Sequence, residues 1–555
     1  MRIHRTEVDG VTTIWTESQG PLTAGLLFRT GRVDETLATS GYAHLIEHMA
    51  LSTLPDAGGR HNGFVGGAVT GFTTIGRPEE VSAYLLSICR ALKALPDDRL
   101  EAEKQVLEAE ASARPYDVST SLLVWRYGAA GYGLLGLPEL GSRSARSEQL
   151  HAVVAQRFTS GNAVLWLSGP PPSELRLELP DGPRQQQPPL VPLLPELPCW
   201  FLDDHCGGVA VGATVPRSAT SSVFHVLASV RLRARLRTKQ AVSYAPLVSY
   251  DPLDADTAHL MFAADSDRDR RAELTETFAK TFERLSEVDA EEVESARQQL
   301  VDGWTGSLAP PPQELAVHEA QRAAMDWIHG RDYEAIEEIA AQAAEVTTLD
   351  VEEFGSALQK DALFALPSEA RLRPSMGRQA PQSNGPPVHG RSLPSVDAPV
   401  RRERLVYGPE GASVIMPDGS HCTVRHADLA AAVAHDDGFV LLIGSDAATI
   451  SVEPTLWRGG QQACREILES VPPGLLFDRG PRAAEWIPRP ETTIWQRVRA
   501  HVGRAAAALH GWPLVVLVAV LVYLASAYLL RDHNFALRPV LVVLAVWGVR
   551  AFVQR

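Results

Sequence analysis

Residues 41–51 read GYAHLIEHMAL and hold two histidines, His44 and His48, four positions apart, with Glu47 directly before the second. On a helix, positions i and i+4 project from one face, so both imidazoles can grip one ion. Glu47, three positions after His44, can reach a water on that ion. The chemistry open to such a set is metal-assisted hydrolysis, in which ring nitrogens hold a divalent cation and the carboxylate takes a proton from water. The same spacing also suits a buried helix whose two histidines are merely hydrogen-bonded. Leu45, Ile46 and Met49 cover the other faces, and Ser40 reads as the N-cap.

A catalytic zinc site takes a third protein ligand and keeps one position open. The acidic stretch 101–110, EAEKQVLEAE, is the best source. At about 100° per residue, Glu103 and Glu110 fall on the apolar stripe with Leu107, while Glu101 and Glu108 fall on the opposite, solvated face. A carboxylate on a core-facing stripe is costly unless it is paired or bound to a metal. Partly exposed ion-pair partners are the alternative reading of Glu103 and Glu110. His61 is a rival ligand, ranked below Glu110 because a lone loop histidine is more often polar surface.

The elements that must position these residues follow from hydrophobic period. Segments 11–17, 23–31 and 72–76 alternate as strands, and 41–51, 80–95 and 97–113 carry helical periods. A second block repeats the mixture, with strands at 208–215 and 258–265 and helices at 271–287 and 313–330. The fold class is therefore α+β, with two blocks of similar length. The division expected is a metal-bearing domain (1–168), a Pro-rich linker (169–198), a second domain (199–366) and a disordered linker (367–404). A small β-domain (405–480) closed by a helix at 461–471 follows, similar in element order to a pleckstrin-homology module. A basic juxtamembrane segment (481–511) and a transmembrane hairpin (512–553) complete the chain.

The hairpin rests on residues 513–530, PLVVLVAVLVYLASAYLL, an uncharged run of about 27 Å as a helix. The second run, 539–549, is clipped by Arg538 and Arg550 and spans only if those arginines snorkel; otherwise it lies on the surface. Arg497, Arg499 and Arg504 before the first run place the body in the cytoplasm by the positive-inside rule, so the expectation is a multi-pass protein of the cell membrane. A net charge of −15 argues against nucleic acid as a partner. Five scattered cysteines form no disulfide framework and fit a reducing compartment.

The pattern around His44 resembles the pitrilysin and mitochondrial-processing-peptidase family, the inverzincins, whose signature is H-x-x-E-H. The likeness extends to 31-GRVDE-35 and 41-GYAH-44 before the motif, to 62-NGF-64, Thr70 and Phe72 after it, and to Glu103, Val106, Leu107 and Glu110 on the distal helix. It implies two pitrilysin-like α/β sandwich domains over residues 1–365. It implies zinc held by His44, His48 and Glu110, with Glu47 as the base and Glu103 in support. Asn62 would contact a peptide substrate. In the second block, 236-LRTKQAVSY-244 supplies Arg237 and Tyr244, which the resemblance casts as holders of the peptide backbone. The spacing from His48 to Glu110 is shorter than the family's. Members build a chamber from four such blocks, so two blocks here imply a homodimer, or a heterodimer with a related subunit. The activity implied is zinc-dependent endopeptidase. A non-catalytic scaffold or binding subunit is the alternative, since some members keep the fold without the catalysis.

Overall fold

The computed structural model of the chain describes residues 2–54, 59–304, 311–396 and 402–490. The alternating apolar residues of the N-terminal block build a six-stranded sheet from β1 (Ile3–Val8), β2 (Val11–Thr16), β3 (Leu22–Phe28), β4 (His61–Val65), β5 (Thr70–Gly76) and β6 (Ala163–Leu167). Its order is β1-β2-β6-β3-β5-β4, antiparallel except for β2 with β6, which leaves β4 on the edge. Helices α1 (Tyr42–Leu51), α2 (Pro78–Lys93), α3 (Leu100–Ala113), α4 (Val118–Tyr127), α5 (Leu140–Ser144) and α6 (Ser147–Arg157) lie in the long β3–β4 and β5–β6 connections. Leu45, Ile46 and Met49 of α1 join Leu85 and Ile88 of α2 and Leu150 of α6 in one core with Leu26, Phe28, Phe72 and Leu165 of the sheet. Each such fully buried side chain contributes about 1.5–3 kcal/mol of burial.

The second block forms β7 (Cys199–Leu202), β8 (Gly208–Pro216), β9 (Leu247–Pro252), β10 (Thr257–Asp265), β11 (Leu363–Leu366) and β12 (Arg378–Gln379), in the order β12-β7-β11-β8-β10-β9. Strands β7, β11, β8, β10 and β9 match β2, β6, β3, β5 and β4 in position and pairing direction, so the two blocks share a five-stranded topology; β12 enters from the C-terminal side and runs parallel to β7, where β1 runs antiparallel to β2. Its helices are α7 (Ala219–Leu232), α8 (Arg271–Glu283), α9 (Ala290–Trp304), α10 (Pro312–His329), α11 (Ile336–Glu345) and α12 (Thr348–Lys360).

Each block lends the other a helix. Ala320, Ala323, Ala324 and Ile328 of α10 pack on Ile14, Leu27, Val164 and Trp166, covering the first sheet's free face. In return Leu122 of α4 packs on Phe201, Ala210, Met261 and Leu363 of the second sheet, and Trp125 stacks on Phe201 at 4.6 Å. Arg126, fully buried, anchors this exchange by pairing with Asp361 at 2.9 Å and donating to the Gly212 carbonyl at 3.3 Å. A sheet with apolar residues on both faces needs two covers, and the helix pattern alone does not say which block supplies the second.

The C-terminal part is a β-sandwich. One sheet runs β13 (Arg391–Pro394), β14 (Arg404–Gly408), β15 (Gly411–Ile415) and β16 (His421–Arg425). The other holds β17 (Leu429–Ala434), β18 (Val440–Gly444), β19 (Thr449–Val452) and β20 (Leu476–Asp478), in the order β19-β18-β17-β20. Helix α13 (Gly460–Glu469) closes the core through Ala463, Cys464 and Ile467.

Two expectations change. Within the stretch 367–404 expected as a disordered linker, the described residues include two strands: β12 pairs with β7, and β13 pairs with β14, so Pro-rich chain covers sheet edges. The small domain accordingly begins at β13 rather than at 405. The transmembrane hairpin lies outside the described residues, as does most of the juxtamembrane segment, from 491 onward. Among the described residues, no helix is long and apolar enough to cross a membrane.

Candidate metal centre

The turn before α1 is built from charge. Arg29 and Asp34, both nearly inaccessible, pair at 2.5 Å, and Asp34 also accepts from the Gly31 amide at 2.9 Å. Glu35 then reaches forward, its carboxylate accepting from the amides of Gly41 and Ala43, both at 2.9 Å. It thereby takes the capping role expected of Ser40, whose hydroxyl instead donates to the Leu37 carbonyl at 2.8 Å. Burial lifts the Glu35 carboxyl to about 7, against the pull of Arg32. Gly41 sits at φ 89°, and a Cβ there would fall 2.9 Å from the Cβ atoms of Glu139 and Ser142.

Helix α1 aims His44 and His48 the same way, with ring centroids 4.8 Å apart. Glu110 comes from α3, which packs beside α1. Its Oε2 stands 3.6 Å from His44 Nε2 and 3.6 Å from His48 Nε2. A tetrahedral zinc with bonds of 2.0–2.1 Å needs donors about 3.4 Å apart. The donor set, two imidazole nitrogens and one carboxylate oxygen, therefore fits that ion in chemistry, and both histidine–carboxylate separations lie close to that spacing. His44, Glu47 and His48 also each offer a donor atom within 4.8 Å of the other two.

The opposite nitrogens are held by carboxylates. His44 Nδ1 lies 2.9 Å from Glu139 Oε2, and His48 Nδ1 lies 3.4 Å from Glu103 Oε2. This arrangement turns both Nε2 lone pairs toward Glu110. Burial works against the charged form of Glu139, but His44, Arg32 and Arg114 overcome it and hold the carboxyl at about 2. An ionised Glu139 accepts only, so the proton belongs on His44 Nδ1. For His44 itself, burial favours the neutral ring, while Glu139, Glu47 and Glu110 outweigh it and raise the pKa. Glu47 is buried, and burial pushes its carboxyl up to about 7; His44 opposes the rise, and Glu110 and Glu103 add to it. The β4 backbone comes so close to this carboxylate that a Cβ at Gly63 would fall 2.0 Å from Glu47 Oε1.

The structure thus brings together His44, Glu47, His48, Glu103 and Glu110. One detail differs: Glu103 is buried as its helical face requires, but the Glu110 side chain is 49% exposed. It stands at the edge of the apolar stripe, where a ligand can face both the histidines and solvent. His61 is not drawn in; it bonds to Thr74 Oγ1 at 2.9 Å and stacks on Tyr84 at 4.3 Å. Asn62 is exposed on edge strand β4. Arg237 and Tyr244 lie on the α7–β9 connection, the guanidinium 5.1 Å from the ring centroid, and they line a cavity of about 570 Å³ made of second-block residues only. Sequence reasoning missed Glu139, Arg32 and the capping role of Glu35. The one signal for Glu139 was a lone carboxylate in the apolar stretch 131-GYGLLGLPELG-141.

No family model matches the chain, and no curated protein matches it. Solved structures do. A protease from Helicobacter pylori aligns with a TM-score of 0.55 and 14% identity over 66% of this chain and 99% of that one. The periplasmic protease PqqL from Escherichia coli gives 0.56 and 13%, over 76% of this chain and 55% of PqqL, so the match spans about half of that protein. The peptidase M16 inactive domain from Pseudomonas fluorescens gives 0.54 and 16%, over 67% of this chain and 100% of that one. The mixed α/β fold of this chain is similar to that of M16 peptidase domains, proteases and an inactive domain alike.

Proposed function

We propose that the chain is a zinc-dependent endopeptidase acting on peptides or unfolded segments. The observation that carries this is the meeting of His44 Nε2, His48 Nε2 and Glu110 Oε2 beside the buried carboxylate of Glu47. Fold likeness cannot choose between a protease and an inactive scaffold, because both kinds share the fold; the side chains favour catalysis. A bound zinc would supply Lewis acidity at the scissile carbonyl and acidify the attacking water. Glu47 takes the proton of that water and returns it to the leaving amine. Glu103 and Glu139 fix the two rings, and Glu110, half open to solvent, leaves the substrate side accessible. A peptide would add to the edge of β4 as an extra strand, beside Asn62, with Arg237 and Tyr244 orienting its backbone.

The wider setting belongs to the same proposal. Two blocks of one topology would form half of a chamber, completed by a second copy or a related subunit. Residues 512–553 would tether the body to the cytoplasmic face of the cell membrane. The test is cleavage of an unstructured peptide mixture by the purified full chain, with zinc content measured on the same sample. About one zinc per chain with chelator-sensitive cleavage supports the proposal. Zinc-free, inactive protein moves the scaffold reading to the front.

A further inference from the structure

We infer that the C-terminal β-sandwich sets how tightly the metal centre holds its ion, acting through the turn that carries Glu139. The inference rests on the metal site proposed above. One face of the turn at 134–140 belongs to the site: Glu139 Oε2 holds His44 Nδ1, and Glu139 Oε1 accepts from Arg32 Nη1 at 2.5 Å. Arg32 Nη2 also donates to the Leu134 carbonyl at 2.8 Å, and Ser40 Oγ lies 3.3 Å from the Pro138 carbonyl. These bonds tie the turn to Arg32, to His44 of α1 and, through Ser40, to the 35–41 loop that caps α1.

The other face belongs to the sandwich. Leu134 and Leu140 of the turn, with Leu37 of the capping loop and Ala129, make one buried apolar cluster with Ala431, Val433, Ile443 and Phe477. Beside it the Ala129 amide donates to the Ser445 carbonyl at 2.9 Å, and Gly128 comes so close that a Cβ would fall 2.4 Å from that oxygen. Leu37, two residues after the Glu35 cap, and Leu134 and Leu140, on either side of the Glu139 anchor, therefore pack on strands β17, β18 and β20. Leu37 and Leu134 are about 1% exposed or less, so there is no slack for the turn to shift while the cluster stays packed. Glu139 is a positioning residue, and the sandwich positions Glu139.

Val433 and Ile443 suit a test because they point away from the sandwich's own core, which takes the intervening Ala432 and Leu442. Zinc affinity would be measured by competition with a chromophoric chelator on the full chain. The wild type would be compared with Val433→Ser, Ile443→Asp, Glu139→Gln and the Ile443→Asp/Glu139→Gln double variant, with circular dichroism confirming the fold. Expected is a zinc Kd raised about tenfold or more in Ile443→Asp and less in Val433→Ser. The double variant should lose less than the product of its two single losses, since both act through one contact. Unchanged zinc affinity in both interface variants, or a fully multiplicative double variant, would overturn the inference while leaving the metal site standing. A wild-type chain that takes up no zinc would overturn both.

Discussion

Glu139 Oε2 lies 2.9 Å from His44 Nδ1, although 95 residues separate them in the chain. The bond settles which nitrogen of His44 carries the proton and leaves Nε2 facing Glu110. It also places a negative charge behind the His44 ring, which would make that ring a stronger donor to a metal.

Glu139→Gln keeps the shape and an acceptor oxygen but removes the charge. The zinc Kd should rise about 10–100-fold, by the usual effect of losing a carboxylate behind a ligating histidine. At saturating zinc, peptide turnover should fall far less than affinity does. Parallel zinc titrations and steady-state assays would separate the two, and an unchanged Kd would deny Glu139 its role.

Glu47→Gln addresses the chemistry itself. The amide cannot accept the water's proton, so kcat should fall by about 10²–10⁴ or more, with KM and zinc content close to wild type. Retention of wild-type turnover would remove Glu47 as the base. The pair of variants is informative together, because one should change metal binding and the other the chemical step.

What the sequence discloses here is local. The helix of α1, the second helix of acidic residues and the pairing of Glu103 and Glu110 follow from a period of 3.6, and α1 runs over Tyr42–Leu51 as the pattern predicts. The placement of His48 beside Glu103 is legible because both lie on regular helices. Glu139 is not, since it sits on a turn whose place beside His44 depends on how α5 and the 3₁₀ turn at Gly131–Gly136 pack, and nothing periodic marks it. Ser40 misleads for a related reason: Glu35, brought back by the turn that Arg29 and Asp34 build, competes with a carboxyl group whose two oxygens accept from two amides at once. The exchange of α4 and α10 between blocks was hidden likewise, because an amphipathic helix shows that it will bury a face and not against which sheet.

Gly41 links backbone conformation to the site. Gly41→Ala would force a Cβ into φ 89° and within 2.9 Å of the Cβ atoms of Glu139 and Ser142. The conformational part should cost about 1–2 kcal/mol of stability, and the crowding should push the Glu139 turn off His44 and loosen zinc. Gly131→Ala is the matched control: its φ is also positive, at 52°, but a Cβ there meets no atom within 4 Å. It should lose stability by a similar amount and keep its zinc affinity. Equal zinc loss in both variants would mean that general destabilisation, and not displacement of Glu139, is responsible.

His259 gives the fold a pH dependence that can be isolated. It is 2% exposed on β10, and burial, reinforced by the Arg126 charge, lowers its pKa to about 3 from an ordinary value near 6.5. Below pH 6.5 the unfolded chain takes up a proton that the native His259 refuses until about pH 3. Stability from this group is therefore complete above pH 6.5 and falls with pH, by about 1.4 kcal/mol per unit within that window. His329, lowered to about 4 chiefly by burial, acts in the same sense. Glu35 and Glu47 act in the opposite sense: raised to about 7, they take up protons in the folded state first and add stability as pH falls toward 4.5. The whole-protein profile thus sums opposing slopes and says little about any one group. The difference between wild type and His259→Gln does isolate it, because the other titrations are common to both. Urea midpoints measured on both proteins from pH 7 to pH 5 should show the variant gaining relative stability as pH falls, by about 1.4 kcal/mol per unit once below 6.5. Parallel profiles would mean that His259 titrates normally in the folded chain, and so that the interface formed by α4 and the second sheet admits water.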